Sequence, residues 1–255
     1  VEIKGKLPKG VFAKDVVLKI LKELKSDFAI YKAIEYTGEA IKEMCLAERM
    51  VLCNMAVEMG AKTSYIQPDE KVLEFLKGRT KHDFTVFETD PDYKYCETYV
   101  FDISDLIPQV ACPHHVDNVH DIIEIEPFAF NQGLIGTCTG GRLEDLEVAA
   151  RILKGRKVNP DVRMLVIPGT YEIYSQAIAK GYIQTFIDAG CVICNAGCGP
   201  CLGAHMGVLA EGEKCITASN RNFAGRMGHM RAELYLASPA TVAASCVEGV
   251  LTDPR

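Results

Sequence analysis

No stretch of this 255-residue chain reaches the roughly 18 uninterrupted apolar residues that a membrane-spanning helix needs, and no charged-then-apolar leader opens it. These absences lead us to expect a cytoplasmic protein with no membrane role. Basic charge is also scarce. Lys and Arg number 28 against 34 Asp and Glu, giving a net charge of −6. A general basic surface for nucleic acid or anionic lipid is therefore not expected, although a local Arg cluster in a pocket remains compatible with that balance. Internal repeats and low-complexity segments are absent too. The loop-rich, small-core character of secreted disulfide scaffolds is missing, yet there are 11 Cys residues, an odd number, so free thiols or metal ligands are the better reading. What remains is an ordinary globular composition, 48% hydrophobic and 24% charged, with mean hydropathy +0.06, enough for one or two compact domains. The chain opens at Val1 rather than Met, which reads as a fragment or a processed product.

Short strand-like and longer helix-like runs alternate along the chain. Residues 1–7 alternate with period two and end in the turn signal Pro8-Lys9-Gly10. Phe12, Val16, Val17, Ile20, Leu21 and Leu24 then recur at helical spacing, with Lys14, Lys19 and Lys22 expected on the opposite face. Residues 28–36 read as a strand and 39–60 as one long helix. A short strand at TSYIQP follows, then a helix with Asp69 at its N-cap and Gly78 at its end. Residues 79–98 are polar and weakly periodic, a loop. The composition shifts after residues 99–113, and a second series places strands at 133–138, 163–169, 190–197, 214–219 and 233–238. Helices are expected at 141–153, 171–189 and 240–247. Strands flanked by helices of this length imply parallel sheets with right-handed crossovers, so both halves read as α/β, divided near residue 112.

In open α/β sheets, ligand groups gather outside the carboxyl ends of the strands. Three strands of the second half end in chemically loaded turns: Cys138 within GTCTGGR, Cys198 and Cys201 within CGPCLG, and Ser219 to Arg226 within SNRNFAGR. Converging on one rim, they would supply three thiols, the guanidiniums of Arg221 and Arg226, and two carboxamides, an anion-binding metal site. Gly136, Gly140, Gly141, Gly197, Gly199 and Gly203 flank these thiols and allow backbone to approach a bulky inorganic group.

In motif type, order and spacing these turns resemble the aconitase superfamily, and RMVLCNMAVEMGAKTS at 49–64 is similar to that family's Asn-x3-Glu-x-Gly-Ala segment. The resemblance covers essentially the whole chain. It implies two aconitase-like α/β/α domains with mainly parallel sheets, residues 1–112 as the second domain and 113–255 as the third, cluster-binding one. GKLPKGVFAKDV and the compact length look most like archaeal two-subunit isomerases. The resemblance implies that Cys138, Cys198 and Cys201 ligate a four-iron four-sulfur cluster whose fourth iron lacks a protein ligand. Such an iron can act as a Lewis acid on a substrate hydroxyl. It further implies that Arg221 and Arg226 bind substrate carboxylates, that Asn54 and Asn220 lie near the cluster and its bound oxygen, and that Glu58 serves the proton-handling network.

On this resemblance the chain is the cluster-binding part of a large subunit of an isomerising hydro-lyase. The homocitrate to homoisocitrate reaction through cis-homoaconitate leads, and 2-isopropylmalate to 3-isopropylmalate, in leucine biosynthesis, is the alternative. Two departures stand out. Gly140 replaces a common Asn, and the family's first domain, with its His and Asp residues, is missing. The swivelling domain belongs to a separate small subunit in two-subunit members, so this chain alone should not turn over. Its cluster, without the first domain, is exposed to oxygen and to loss.

Other readings of the same residues stay open. Cys191, Cys194, Cys198 and Cys201, spaced C-x2-C-x3-C-x2-C, suit a structural zinc site, and a fourth Cys would make an electron-transfer cluster. An RNA-binding module is the remaining class, weighed down by the acidic charge. Arg221, Arg226 and Glu58 taken singly suit ion pairs or solvated faces. His114, His115, Asp117 and His120 suggest either a metal site or a domain connector, while His82, His205 and His229 carry no spacing signal.

Overall fold

The computed structural model describes residues 1–255. In chain order the elements of the first half are β1 (Glu2–Lys4), α1 (Ala13–Leu24), β2 (Ala33–Glu35), α2 (Glu39–Glu43), α3 (Leu46–Met55), β3 (Thr63–Tyr65), α4 (Glu70–Leu76) and β4 (Val100–Asp102). Two small parallel pairs, β1 with β4 and β2 with β3, flank the helices. The expected helix over 39–60 breaks after Met44. Its next segment starts afresh at Cys45, whose N–H donates to Glu48 Oε2 at 2.8 Å, and it ends in a 3-10 turn over Ala56–Met59 closed by Gly60 at φ +79°. Asp69 caps α4 as expected, accepting from the Lys71 N–H at 3.0 Å.

The second half is built on one sheet. Its elements are β5 (Gln109–Ala111), β6 (Val119–Asp121), β7 (Gln132–Gly136), α5 (Thr137–Gly140), α6 (Leu143–Leu153), β8 (Arg163–Ile167), α7 (Tyr171–Ala179), α8 (Tyr182–Ala189), β9 (Val192–Ile193), β10 (Lys214–Thr217), β11 (Glu233–Leu236) and α9 (Pro239–Glu248). The seven strands run in the order β6-β5-β11-β10-β7-β8-β9. The five from β11 to β9 are parallel, and β5 and β6 add an antiparallel hairpin at one edge. The fold is α/β with mostly parallel sheet, as the alternation of runs implied. The helix expected over 171–189 divides at Gly181, φ +77°, into α7 and α8.

The first half has one apolar core and the second has two, a larger one and a smaller one of Leu134, Leu165, Ile167 and Leu234 on the other face of its sheet, and the β5–β6 hairpin is the wall shared by the first core and the larger second one. Ala111 and Val119 pack with Ile3, Val17, Leu21 and Leu52 in the first core, whereas Val110 and Ile122 pack with Ile135, Phe186 and Val242 in the second. Period-two alternation along a strand sends successive side chains to opposite faces, so β5 serves both cores at once. Residue 112 falls within this hairpin. Helix α1 lies against it on one side and against α3 on the other, and is buried nearly all round, Lys14 and Asp15 included. No helix is long and apolar enough to cross a membrane.

Candidate functional site

Strand order across the large sheet reverses between β7 and β10: β7, β8 and β9 step one way, β10 and β11 the other. Chain leaving the carboxyl ends of two such strands diverges and opens a crevice, the preferred ligand position in this class of sheet. Cys138 emerges directly after β7 and Ser219 to Arg221 directly after β10. The 3-10 turn over Gly199–Leu202 carries Cys201 and follows Cys198.

The first turn is tightly made. Thr137 takes φ +111°, a strained value for a β-branched residue, and its buried Oγ1 has no partner. Gly140 is required by contact with β10's exit, because a Cβ there would sit 2.4 Å from Ala218 Cβ and 2.7 Å from Ala218 O. That accounts for glycine at a position where the resemblance leads one to expect Asn. In the second turn Gly199 takes φ +44°, with the His205 ring against its open side. Cys138 and Cys198 are exposed, and Cys201 is buried.

The third turn is anchored from both halves. The Asn222 carboxamide donates to three main-chain carbonyls of the linker, Cys112 at 2.8 Å, His115 at 3.2 Å and Ala111 at 3.4 Å. Thr217 Oγ1 donates to Ser219 Oγ at 2.9 Å. From the first half, Glu58 Oε1 accepts from Arg221 Nε at 2.6 Å, and Asn54 Nδ2 donates to the Cys138 carbonyl at 3.1 Å. Asn54 and Glu58, four residues apart where α3 runs into its 3-10 turn, thus reach two different turns of the second half. Arg226 Nη2 lies 4.0 Å from Cys201 Sγ, while its buried Nε has no partner, and neither has Asn220 Oδ1. Buried donors and acceptors left unpaired by the protein are those a ligand can satisfy.

The donor chemistry suits an iron–sulfur group. Pairwise contacts tie the turns to their neighbours, Asn54 to the Cys138 turn, Glu58 to Arg221 and Arg226 to Cys201, and soft thiolates favour iron and sulfide over hard cations. A single-ion site is another matter, since no three Cys, His, Asp or Glu side chains gather closely enough to hold one metal ion. Cys191 and Cys194 are buried, and burial pushes both thiols up, Cys191 to about 12. Cys191 Sγ packs 3.5 Å from Met164 Sδ. Both behave as small apolar side chains. In the histidine run, Asp117 accepts from Ser26 N and Oγ, and His120 Nε2 meets Asn118 Oδ1 at 3.1 Å. His115 contributes its carbonyl to Asn222 and to the Asn118 N–H. The run thus helps to hold the third turn, while the buried Nδ1 of His114 has no partner.

Two residues of this neighbourhood were not legible as such. Asn222 was one more polar residue in a motif, and Lys14 was expected on a solvent face. Lys14 is 3% exposed, and its Nζ donates to the Ser219 carbonyl at 2.6 Å and to the Ala218 carbonyl at 3.4 Å. The one available signal was the charged pair Lys14-Asp15 set within apolar residues on both sides.

The model of the aconitase family (aconitate hydratase) matches residues 1–132 and 123–249. The 3-isopropylmalate dehydratase large subunit 1 of Methanopyrus kandleri is 55% identical over 255 residues, covering 100% of this chain and 61% of that protein. The 3-isopropylmalate dehydratase large subunit 2 of Archaeoglobus fulgidus is 52% identical over 257 residues, covering 100% and 62%. The probable methanogen homoaconitase large subunit of Methanothermobacter thermautotrophicus is 48% identical over 255 residues, covering 100% and 60%. The chain spans about 60% of the length of these relatives. With the family's model matched along nearly all of its length, the chain belongs to the aconitase family.

Proposed function

We propose that this chain is the cluster-bearing portion of the large subunit of an isomerising hydro-lyase, in the first reading homoaconitase, acting along homocitrate, cis-homoaconitate and homoisocitrate. A second reading, 3-isopropylmalate dehydratase, is favoured by the 55% identity to the Methanopyrus kandleri large subunit. The observation that carries the shared part of both is the junction at the crevice, where Asn54 and Glu58 of the first half bond to the Cys138 and Arg221 turns of the second.

Cys138, Cys198 and Cys201 would hold one four-iron four-sulfur cluster, which when bound supplies an open, Lewis-acidic iron for departure and return of a hydroxyl. Arg221 gives its Nε to Glu58, which leaves the far side of the guanidinium for a substrate carboxylate. Arg226 offers its unpartnered Nε and lies beside Cys201, so it would hold a second carboxylate close to the thiol turns. Glu58 orients Arg221 and keeps its other oxygen for proton handling, while Asn54 and Asn220 would orient the reacting oxygen. The base that takes the proton alpha to the carboxylate would come in trans, from a small swivel-domain subunit. Leu202, Met206, Val208, Phe223 and Met230 stand exposed around the turns, an apolar collar suited to being covered by such a partner or by a further domain. The two units would divide at the β5–β6 hairpin, close to residue 112.

Anaerobic reconstitution with iron and sulfide tests the ligand set. Cys138→Ser, Cys198→Ser and Cys201→Ser are each expected to lose iron, and Cys191→Ser to retain it. A full-length large subunit carrying this sequence, reconstituted and paired with a small subunit, is then assayed on homocitrate and on 2-isopropylmalate, which separates the two readings. One tight zinc requiring Cys191 and Cys194, with no iron, would overturn the enzyme reading.

A further inference from the structure

Only two basic side chains are almost wholly buried, Arg49 and Lys14, each 3% exposed. Arg49 has a carboxylate, Asp69 Oδ2, at 2.6 Å. Lys14 has none. Its ammonium is held by the Ser219 and Ala218 carbonyls and lies 3.8 Å from Met55 Sδ. The adjacent Asp15 does not serve as its partner, because Asp15 Oδ1 and Oδ2 accept from the N–H groups of Gln109 and Phe12, both at 2.9 Å. An ammonium taken out of water without a counter-charge costs several kcal/mol, so such a residue persists where the surroundings offset it.

Groups of the site contribute to that offset, alongside the neighbouring Asp15 carboxyl, which Lys14 in turn pulls down. Burial pushes Lys14 down to about 8, and the groups that pull it back up are Cys201, Glu58, Asp145 and Cys138, in that order. Three of these four are site residues. The two carbonyls Lys14 grips also close β10 immediately before Asn220 and Arg221, and Ala218 is the residue against which Gly140 packs. One ammonium, from a helix of the first core, therefore fixes the main chain behind two turns of the site.

We infer that Lys14 is a positioning residue of the thiol site, clamping the Ala218–Ser219 main chain beneath Asn220 and Arg221 and supplying the buried positive charge that balances the thiolate-held group. This rests on the reading of Cys138, Cys198 and Cys201 as cluster ligands. Two neutral variants separate its two parts. Lys14→Gln keeps a donor for the carbonyls and drops the charge, while Lys14→Met drops both.

The test is a spectroscopically followed redox titration of the anaerobically reconstituted chain, together with iron retention under a chelator. Without the cation the reduced, more negative cluster is less stabilised. In both neutral variants reduction is expected to become at least tenfold less favourable, about 59 mV for a one-electron couple. Iron loss is expected to quicken about tenfold in Lys14→Met and less in Lys14→Gln. Lys14→Arg, which keeps the charge, is expected to stay within twofold of wild type in its redox equilibrium. It also serves if neither neutral variant folds: a tenfold shift in Lys14→Arg refutes the charge role. A folded Lys14→Met with wild-type potential and iron retention overturns the inference outright. Failure of the wild-type chain itself to hold iron through Cys138, Cys198 and Cys201 is a separate result, which removes the underlying reading.

Discussion

Arg221 and Glu58 stand 163 residues apart in the chain and meet at 2.6 Å, a guanidinium from the turn after β10 against a carboxylate in the 3-10 turn that follows α3. The contact spans the two halves, and it leaves each group half committed: Arg221 keeps its outer edge and Glu58 its second oxygen. Because the Glu58 side chain is only 11% exposed while that of Arg221 is 38% exposed, the pair is neither a free surface ion pair nor a sealed one. A double-mutant cycle of Glu58→Ala and Arg221→Ala, read by denaturant unfolding, is expected to give a coupling of about 1 kcal/mol, at the upper end for exposed pairs. A coupling near zero would mean that the two groups act independently.

Gly140 is expected to tolerate no side chain as the structure stands. Gly140→Ala puts a methyl group 2.4 Å from Ala218 Cβ, an overpacking that should cost roughly 1–3 kcal/mol. Ala218→Gly in the same chain would relieve the Cβ contact but not the one with the Ala218 carbonyl, so partial recovery is the expected outcome in urea titration.

Asp145 sets a pH dependence. Burial pushes its carboxyl up to about 7, while its Oδ2 accepts from the Arg142 N–H at 2.9 Å. A carboxyl raised in the folded state binds protons there that the unfolded chain has already released, so its contribution to stability is present at about pH 4 and lost as the pH rises toward 7. Asp145→Asn mimics the protonated form and keeps the acceptor. The free-energy difference between wild type and Asp145→Asn should therefore move against wild type between pH 4 and pH 7 and level off above. A pH-independent difference would contradict the assigned burial.

Cys191 and Cys198 are expected to give opposite phenotypes. Cys191→Ser buries a hydroxyl among apolar groups and should lower stability by roughly 1–3 kcal/mol with iron retained. Cys198 is exposed, so Cys198→Ser should leave the melting of the iron-free chain nearly unchanged and abolish iron binding. Iron analysis and thermal melts on both variants decide it.

Asn222 is the clamp on the third turn. Asn222→Ala frees the carbonyls of Ala111, Cys112 and His115 from their shared donor, at an expected cost of roughly 1–3 kcal/mol. Limited proteolysis within residues 219–226 should become faster in the variant, and unchanged cleavage would remove the clamp.

Most of the order of elements, the parallel sheet and the three turns, two of them bearing thiols, follow from the sequence by itself, because hydrophobic period and turn residues are local and the topology of crossovers has few solutions. Helix ends at Cys45 and Gly181 were harder, since apolar spacing continues across both breaks and only the backbone shows where the bonds stop. The β5–β6 hairpin escapes a reading of the sequence because its strands are three residues each, too short for alternation to register. Lys14 and the Glu58–Arg221 pair lay beyond local reading altogether. A helical wheel says which face is apolar; it does not say that a second core will cover the other face. That covering is a long-range event, decided when α1 is enclosed between α3 and the hairpin, and it turns a lysine that spacing assigns to solvent into a buried cation beneath the site.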